Sequence, residues 1–179
     1  MKAILSIVMC AVTVVSLTGC ASDSESSNPV MISINSSVSS LEEAKAYALL
    51  FSHLDADDVE FTRKEMIGSD GYNICQLEYI SGSNEYKCYI NADTGVVIKY
   101  DFDGRLPQTG SVIGHAEITS LLKKLAPDID EDTVVMDRDN SNDDGLMVYE
   151  GVASSDTYDY SFEIHATSGT VVEWKSTMK

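Results

Sequence analysis

The sequence predicts an α+β fold of two tandem repeats, each with one helix packed on a four-stranded antiparallel meander sheet. The first observation behind this prediction is an internal repeat: Gly71 and Gly95 recur as Gly145 and Gly169, each 74 residues later. The second is the order of patterns in each copy, where apolar residues first recur at helical spacing and then alternate with polar residues in short segments. Gly, Asn, Asp and Ser residues separate these segments, as is typical of tight turns between antiparallel strands.

Residues 1–19 have the pattern of a lipoprotein signal peptide. Lys2 precedes an apolar run of 14 residues, which is shorter than the roughly 18 that a membrane-spanning helix requires. The run ends in Leu17-Thr18-Gly19-Cys20, where small residues fit the signal peptidase and the thiol of Cys20 can carry a diacylglyceryl group. We therefore predict cleavage before Cys20 and lipidation of Cys20. An ordinary secretory signal or a membrane anchor is the alternative.

The charge of the chain excludes two classes of partner. With 44% hydrophobic and 23% charged residues the chain is globular, and its formal net charge of −17 argues against binding to nucleic acid and against electrostatic docking on anionic lipid. Contact with the membrane is therefore expected through the lipid alone. The predicted location is the extracytoplasmic side of a bacterial cell envelope. It is the outer membrane where one exists, because Ala21 replaces the Asp that retains a lipoprotein at the inner membrane.

The first repeat is predicted at 40–103, after a lipidated Cys and a flexible, Ser-rich tether at 20–39. It opens at a capping box, in which the Ser40 hydroxyl accepts from the backbone of Glu43 and the Glu43 carboxylate reaches back. One amphipathic helix follows, with four apolar residues on one face: Leu41, Ala44, Ala48 and Phe51. Four strands complete the repeat, at 59–66, 72–80, 85–90 and 96–101.

The second repeat is predicted at 114–179, after a linker at 104–113. Its helix has an apolar face that includes Ile118, Leu122 and Leu125, and it ends before Pro127. Its strands are predicted at 134–137, 146–153, 158–164 and 171–176, so that the order of elements is that of the first repeat.

Two cysteines remain for the folded part, because Cys10 leaves with the signal peptide and Cys20 is acylated. An extracytoplasmic location permits a disulfide. A hairpin that turns about Ser81-Gly82 places Cys75 directly opposite Cys88, close enough for a bridge. We therefore predict a Cys75–Cys88 disulfide, with two buried free thiols as the alternative. The corresponding residues of the second repeat, Tyr149 and Phe162, are predicted to form an aromatic cross-strand pair.

No pattern in the sequence indicates a catalytic site, a metal site or a cofactor. The acidic stretch 137–145 resembles a calcium loop, but with Gly145 at the sixth position Asn140 replaces the first Asp and Gly151 replaces the bidentate Glu. A solvated acidic turn is therefore predicted. The three histidines, His53, His115 and His165, lack zinc-site spacing and are predicted to be ordinary surface or helix-end residues. No serine lies in a Gly-x-Ser-x-Gly elbow.

Tyrosines are abundant on the predicted strands. Strand alternation directs some of the nine tyrosines to the sheet face away from the helix, where they can contact a protein partner. The alternative is that they cover a half-buried sheet and have no further role.

The stretch 85–97 resembles the hallmark of the PepSY family, Tyr-x-x-x-Ile-Asp-Ala-x-Thr-Gly-x-Val, with Asn91 where Asp is usual. The second copy keeps Tyr160, Ile164, Ala166 and Gly169 but has His165 and Ser168 at the Asp and Thr positions. Together the two resemblances cover 40–103 and 114–179. They imply small α+β domains of the kind found in propeptides of thermolysin-like metalloproteases and in cell-envelope proteins, where they are thought to inhibit or regulate peptidases. The family offers no catalytic residues.

These observations predict a non-enzymatic, lipid-anchored envelope protein with two PepSY-like modules. It is expected to bind a protein partner such as a peptidase, through residues that the sequence does not identify. The alternative function is the binding of a small ligand or a cation by the acidic loops.

Overall fold

The computed structural model describes residues 37–69, 71–140, 142 and 145–179. The predicted signal peptide, the lipidation site at Cys20 and most of the tether lie outside these residues. The elements in chain order are helix α1 (Leu41–Ser52), a one-turn 3-10 helix (Ala56–Asp58), strands β1 (Glu60–Ser69), β2 (Tyr72–Ser81), β3 (Asn84–Asn91) and β4 (Val97–Asp103), helix α2 (His115–Leu125), and strands β5 (Asp130–Asp139), β6 (Val148–Ser154), β7 (Tyr158–His165) and β8 (Val171–Met178). No described helix is long and apolar enough to cross a bilayer.

The fold is mainly β, and the prediction of two separate four-stranded sheets was wrong. All eight strands form one antiparallel sheet in the order β1-β2-β3-β4-β8-β7-β6-β5. The two halves join where β4 pairs with β8, with Tyr100 opposite Trp174. Both side chains are fully buried, so joining the halves removes two large aromatic rings from water and pairs two strand edges that separate sheets would leave open.

Both helices cover the same face of the sheet and complete its core. Helix α1 buries Ala44, Tyr47, Ala48 and Phe51, and α2 buries Ile118, Leu122 and Leu125. The Phe51 ring lies 5.1 Å from the Tyr100 ring and 5.4 Å from the Trp174 ring. Because those two rings belong to different halves of the sheet, the first helix helps to hold the halves together.

The predicted start of α1 is confirmed, with one difference. The Ser40 hydroxyl accepts from the Glu43 N–H at 3.2 Å, but the Glu43 carboxylate accepts from Ser39, through its N–H at 2.8 Å and its hydroxyl at 2.9 Å. The N-terminus of α2 has only half of this arrangement. There the Glu117 carboxylate accepts from the Gly114 N–H at 3.0 Å, and glycine has no hydroxyl to return the bond.

The predicted register of the two cysteines was wrong. The β2–β3 hairpin turns about Gly82 and Ser83, so Cys75 lies opposite Ile90 and Cys88 lies opposite Leu77. The cysteines are therefore diagonal neighbours, and both are buried free thiols in this structure. A diagonal pair is farther apart than a disulfide allows without movement of the backbone, so the geometry favours the second alternative.

The aromatic pair predicted in the second half is displaced in the same way. Tyr149 lies opposite Ile164, and Phe162 lies opposite Gly151. The tyrosines of the strands also differ from the expected partner surface, since most of them face the core: Tyr79, Tyr86, Tyr100, Tyr149, Tyr158 and Tyr160 are buried. A partner surface has to be sought among other residues.

Candidate functional site

The sheet face opposite the two helices carries a row of charged residues that crosses all eight strands. Each member lies directly opposite the next in the strand register. We call this set the charged row; from β1 to β5 in sheet order it contains Arg63, Glu78, Lys87, Asp101, Glu173, Glu163, Glu150 and Asp137. The row exists only because the strand alternation of each half and the pairing of β4 with β8 bring these residues into line.

The two ends of the charged row have different charge patterns. From β1 to β4 the signs alternate, which is the favourable arrangement for cross-strand neighbours. From β4 to β5 five carboxylates follow one another, and we call this set the acidic half: Asp101, Glu173, Glu163, Glu150 and Asp137. Directly opposed like charges destabilise a sheet, by roughly 0.2–1 kcal/mol for each pair. The acidic half is therefore not explained by the stability of the fold.

Most carboxylates of the acidic half have no cationic partner among the described residues. Lys99 pairs with Asp101 at 2.7 Å, whereas no described ion pair includes Glu173, Glu150 or Asp137, which are exposed. The Glu163 carboxylate accepts from the Asn142 side-chain amide at 2.9 Å. Lys87 lies directly opposite Asp101 in the charged row, and Lys175 lies in the next row of the same face, opposite Lys99. The negative potential of this region is thus left largely uncompensated.

A shallow groove of about 590 Å³ runs along the acidic half and is bordered by two exposed apolar side chains. Val135 and Val152 lie directly opposite each other on β5 and β6, and their exposed fractions are 63% and 53%. Next to them, Gly151 lets the two strands approach closely, since a Cβ atom there would be 2.5 Å from the Val135 carbonyl oxygen. The groove therefore offers both apolar surface and a flanking line of negative charge.

The acidic turn that resembled a calcium loop is described only in part, at 137–140, Asn142 and Gly145. Within the described ranges no group of three or more His, Cys, Asp or Glu side chains is placed to hold a metal ion. Asn142 acts instead within the turn, where its side-chain oxygen accepts from the Leu146 N–H at 2.9 Å.

His165 is the one histidine with an unusual environment. Its side chain is fully buried, its Nδ1 lies 2.8 Å from the Ser168 hydroxyl, and its Nε2 has no hydrogen-bond partner. In the first half, Asn91 closes the equivalent turn by accepting from the N–H groups of Asp93 and Thr94 at 2.9 and 3.3 Å. The His165–Ser168 contact takes over this turn-closing role, and no described group orients His165 as a catalytic base would require.

The other two histidines lie at helix ends. His53 ends α1 in the left-handed conformation, with φ of 57°, and its pKa is lowered by burial and by the nearby charge of Lys124. His115 lies in the first turn of α2 and packs against the Tyr149 ring. The prediction of surface or helix-end positions is confirmed for His53 and His115 but was wrong for His165, which is fully buried at the end of β7.

The charged row was missed at the level of the sequence. Each strand on its own shows an ordinary exposed charge at an alternating position, such as Glu150 on β6 or Glu163 on β7. The row appears only when the register of all eight strands is known. Its one sequence signal is the excess of acid, 29 acidic against 12 basic residues, and that excess does not indicate a position.

Comparisons with known proteins add little to this description. No protein-family model matches the chain, and no curated protein matches it. Among solved structures, a candidate lipoprotein from Clostridium difficile 630 is similar over 84% of this chain and 99% of that chain, with 15% identity and a TM-score of 0.31. The YpeB C-terminal domain from Bacillus megaterium is similar over 80% of this chain and 100% of that chain, with 11% identity and a TM-score of 0.42. Likenesses this distant carry no argument about function.

Proposed function

We propose that this protein is a non-enzymatic, lipid-anchored protein of a bacterial cell envelope that binds a protein partner through the acidic half of its open sheet face. The observation that supports the proposal best is the line of five carboxylates beside the exposed pair Val135 and Val152. Repulsion between the opposed carboxylates works against folding, whereas a partner with basic residues around an apolar contact would neutralise the charge and cover the valines.

The charge pattern also indicates how such a partner would be recognised. A surface of one sign accelerates encounter with a partner of the opposite sign and repels partners of the same sign. The lipid on Cys20, with the tether at 20–39, would hold this surface near the membrane and raise its local concentration toward other envelope proteins. We therefore expect binding that weakens as the ionic strength rises.

The PepSY resemblance supports a peptidase as the partner. In this proposal the sequence repeats 40–103 and 114–179 are PepSY-like units that share one sheet, and docking of a peptidase on the open face would restrain or position the enzyme. No residue of the chain would take part in the chemistry.

Cation binding is the weaker hypothesis. Neighbouring strands are about 4.8 Å apart, so carboxylates in a row are spread along a line and do not surround a point. A calcium site needs six to eight oxygen ligands around one ion. A thermal-shift titration with Ca²⁺ distinguishes the two functions. A specific calcium site should raise the melting temperature until the site is saturated. If Ca²⁺ only screens the charges, other salts of the same ionic strength should change the melting temperature by the same amount.

The test of partner binding compares two double variants that make the same change of charge on the same face. The first variant, Glu150→Lys with Glu163→Lys, changes the acidic half. The second variant, Glu85→Lys with Asp103→Lys, changes the other half of the same face, where Glu85 on β3 pairs with Asp103 on β4. The purified mature chain is immobilised and exposed to envelope extract, and the retained proteins are identified and assayed for binding in purified form. We expect the first variant to lose the partner and the second to keep it; equal retention by both variants contradicts the proposal.

The peptidase hypothesis needs its own measurement. Secreted and envelope protease activity is measured with and without the purified chain, and we expect inhibition that the variant with lysines at 150 and 163 no longer produces. Absence of any inhibition refutes a peptidase as the target and leaves the docking face to be judged by the capture experiment.

A further inference from the structure

We propose that the partner docks by adding a strand to the outer edge of β5, and that this strand is an extended segment bearing Lys or Arg at alternate positions. This inference rests on the proposed function and states how the partner binds. It is carried by three observations: an open sheet edge, a strong difference in charge between the two edges, and the groove that continues from β5 onto the acidic half.

The sheet has two edge strands, β1 and β5, and no described element pairs with the outer side of either. An edge strand presents unpaired N–H and C=O groups that can accept a further strand from another chain. The regular part of the β5 edge is 135–139, where each residue pairs in turn with β6, since the register is irregular between Asp130 and Val135. At Gly151 this stretch lies so close to β6 that an added Cβ atom would be 2.5 Å from the Val135 carbonyl oxygen.

Charge distinguishes the two edges. Strand β5 contains five acidic residues and one arginine, a net charge of −4, whereas β1 contains two acidic and two basic residues and is neutral. A second copy of β5 would be repelled from the first, so self-pairing at this edge is disfavoured. An incoming strand with alternate basic residues is attracted, and its charge complements both β5 and the acidic half beyond it.

The alternation of β5 defines what the incoming strand must carry on each side. On the open face β5 presents Val135 and Asp137, with Val152 and Glu150 beside them on β6. A basic side chain next to Asp137 would extend the charged row by one strand, and an apolar side chain two residues away would lie against Val135. The recognised pattern is therefore a basic and an apolar residue separated by one position on the same face.

The test uses a synthetic peptide of nine residues that alternates Lys with Thr and has one central Val on the Lys-bearing side. Binding to the full mature chain is measured by fluorescence anisotropy, and protection of backbone amides is measured by hydrogen exchange. We expect the β5 amides of 135–139 to gain protection on binding. The amides of β1, at the other edge, should not change.

Two N-methylated forms of the peptide provide the control for strand pairing, because in an extended strand alternate N–H groups point to opposite sides. Methylation of the set that faces β5 should weaken binding about tenfold or more, while methylation of the other set should leave it unchanged. Asp137→Lys should weaken binding of the unmodified peptide, and Lys64→Glu on β1 should not. A peptide in which Glu replaces Lys should not bind.

The outcomes separate this inference from the proposed function. Equal loss or equal retention of binding by the two methylated peptides, or protection that is confined to β6–β8, overturns strand addition. If partner capture then still depends on Glu150 and Glu163, the open face remains the docking surface. If the peptide does not bind at all, strand addition is likewise overturned, and the capture experiment alone decides the proposed function.

Discussion

His165 gives one of the two equivalent turns of this chain a side chain that can take up a proton. It occupies in the second half the position that Asn91 occupies in the first, and both side chains close a turn whose glycine has a positive φ, 71° at Gly95 and 73° at Gly169. Asn91 does so as a neutral amide, but His165 can take up a proton. Burial lowers the pKa of His165, because the charged ring would lose its hydration.

We expect the stability of the protein to fall as the pH drops below about 6.5, the ordinary pKa of histidine. In that range the unfolded chain binds the proton more readily than the folded protein does, so protonation favours unfolding until the lowered pKa of His165 is passed. Urea unfolding measured across this pH range should show a smaller loss for His165→Asn than for the parent. An unchanged slope in His165→Asn would refute the assignment. His53, whose pKa is also lowered, contributes to the loss of stability that remains in this variant.

The two core cysteines are expected to be inert thiols. Burial raises the pKa of both Cys75 and Cys88, which leaves little reactive thiolate. Iodoacetamide should therefore label neither residue in the folded protein and both in denaturant, and the intact mass of the oxidised and reduced protein should agree. The disulfide would instead be established if the intact mass increased on reduction and if a proteolytic digest contained two peptides linked through Cys75 and Cys88. The local strand register would then have to differ from the one described.

At the scale of the element, the two helix N-termini make a matched pair. Ser40 caps α1 with a hydroxyl, and Ser40→Ala should cost about 1 kcal/mol. Gly114 caps α2 with no side chain, although its extended backbone and free surroundings would accept one. Gly114→Ser should therefore stabilise the protein by roughly 0.5–1 kcal/mol through the new cap and the lower entropy of the unfolded chain. Destabilisation by Gly114→Ser in thermal unfolding would contradict this account.

Gly151 should be the least tolerant position of β6. An alanine Cβ there would approach the Val135 carbonyl oxygen and the Phe162 ring within 2.6 Å, so β5 would have to move away. We expect Gly151→Ala to cost roughly 1–3 kcal/mol and to increase hydrogen exchange in β5 specifically. Gly68→Ala, at a position on β1 where a Cβ meets no atom within 4 Å, is the control and should have little effect.

Local patterns in the sequence predicted the helices, most strand positions and the turn glycines, because caps, periodicity and positive φ are properties of neighbouring residues. Pairing between distant strands was not accessible in this way. The Cys75 register failed because Gly82 can occupy either central position of the hairpin turn, and a shift of the turn by one residue moves the cross-strand partner by two. The junction of Tyr100 with Trp174, and with it the charged row, depends on contacts 74 residues apart in the chain.

At the scale of the whole molecule, the acidic half should make stability depend on salt. Repulsion among Glu173, Glu163 and Glu150 is screened as the ionic strength rises, so added salt should stabilise the fold. Glu163→Gln removes the central charge and keeps the shape needed to accept from Asn142. It should stabilise the protein by about 0.2–1 kcal/mol at low salt and by less at high salt. Destabilisation at low salt would mean that the carboxylates are compensated by another contact.

The pairing of β4 with β8 has the symmetry of a dimer interface. Tyr100 meets Trp174, its own counterpart in the other half, while Lys99 meets Lys175, the counterpart of Asp101. Asp101 in turn lies opposite Glu173, the counterpart of Lys99. Such reciprocal contacts are called isologous and are typical of a dimer with twofold symmetry. The chain is thus a homodimer-like assembly fused into a single polypeptide, with its pseudo-twofold axis between Tyr100 and Trp174. Two fragments divided between Asp103 and Gly114 should accordingly find each other and rebuild the sheet.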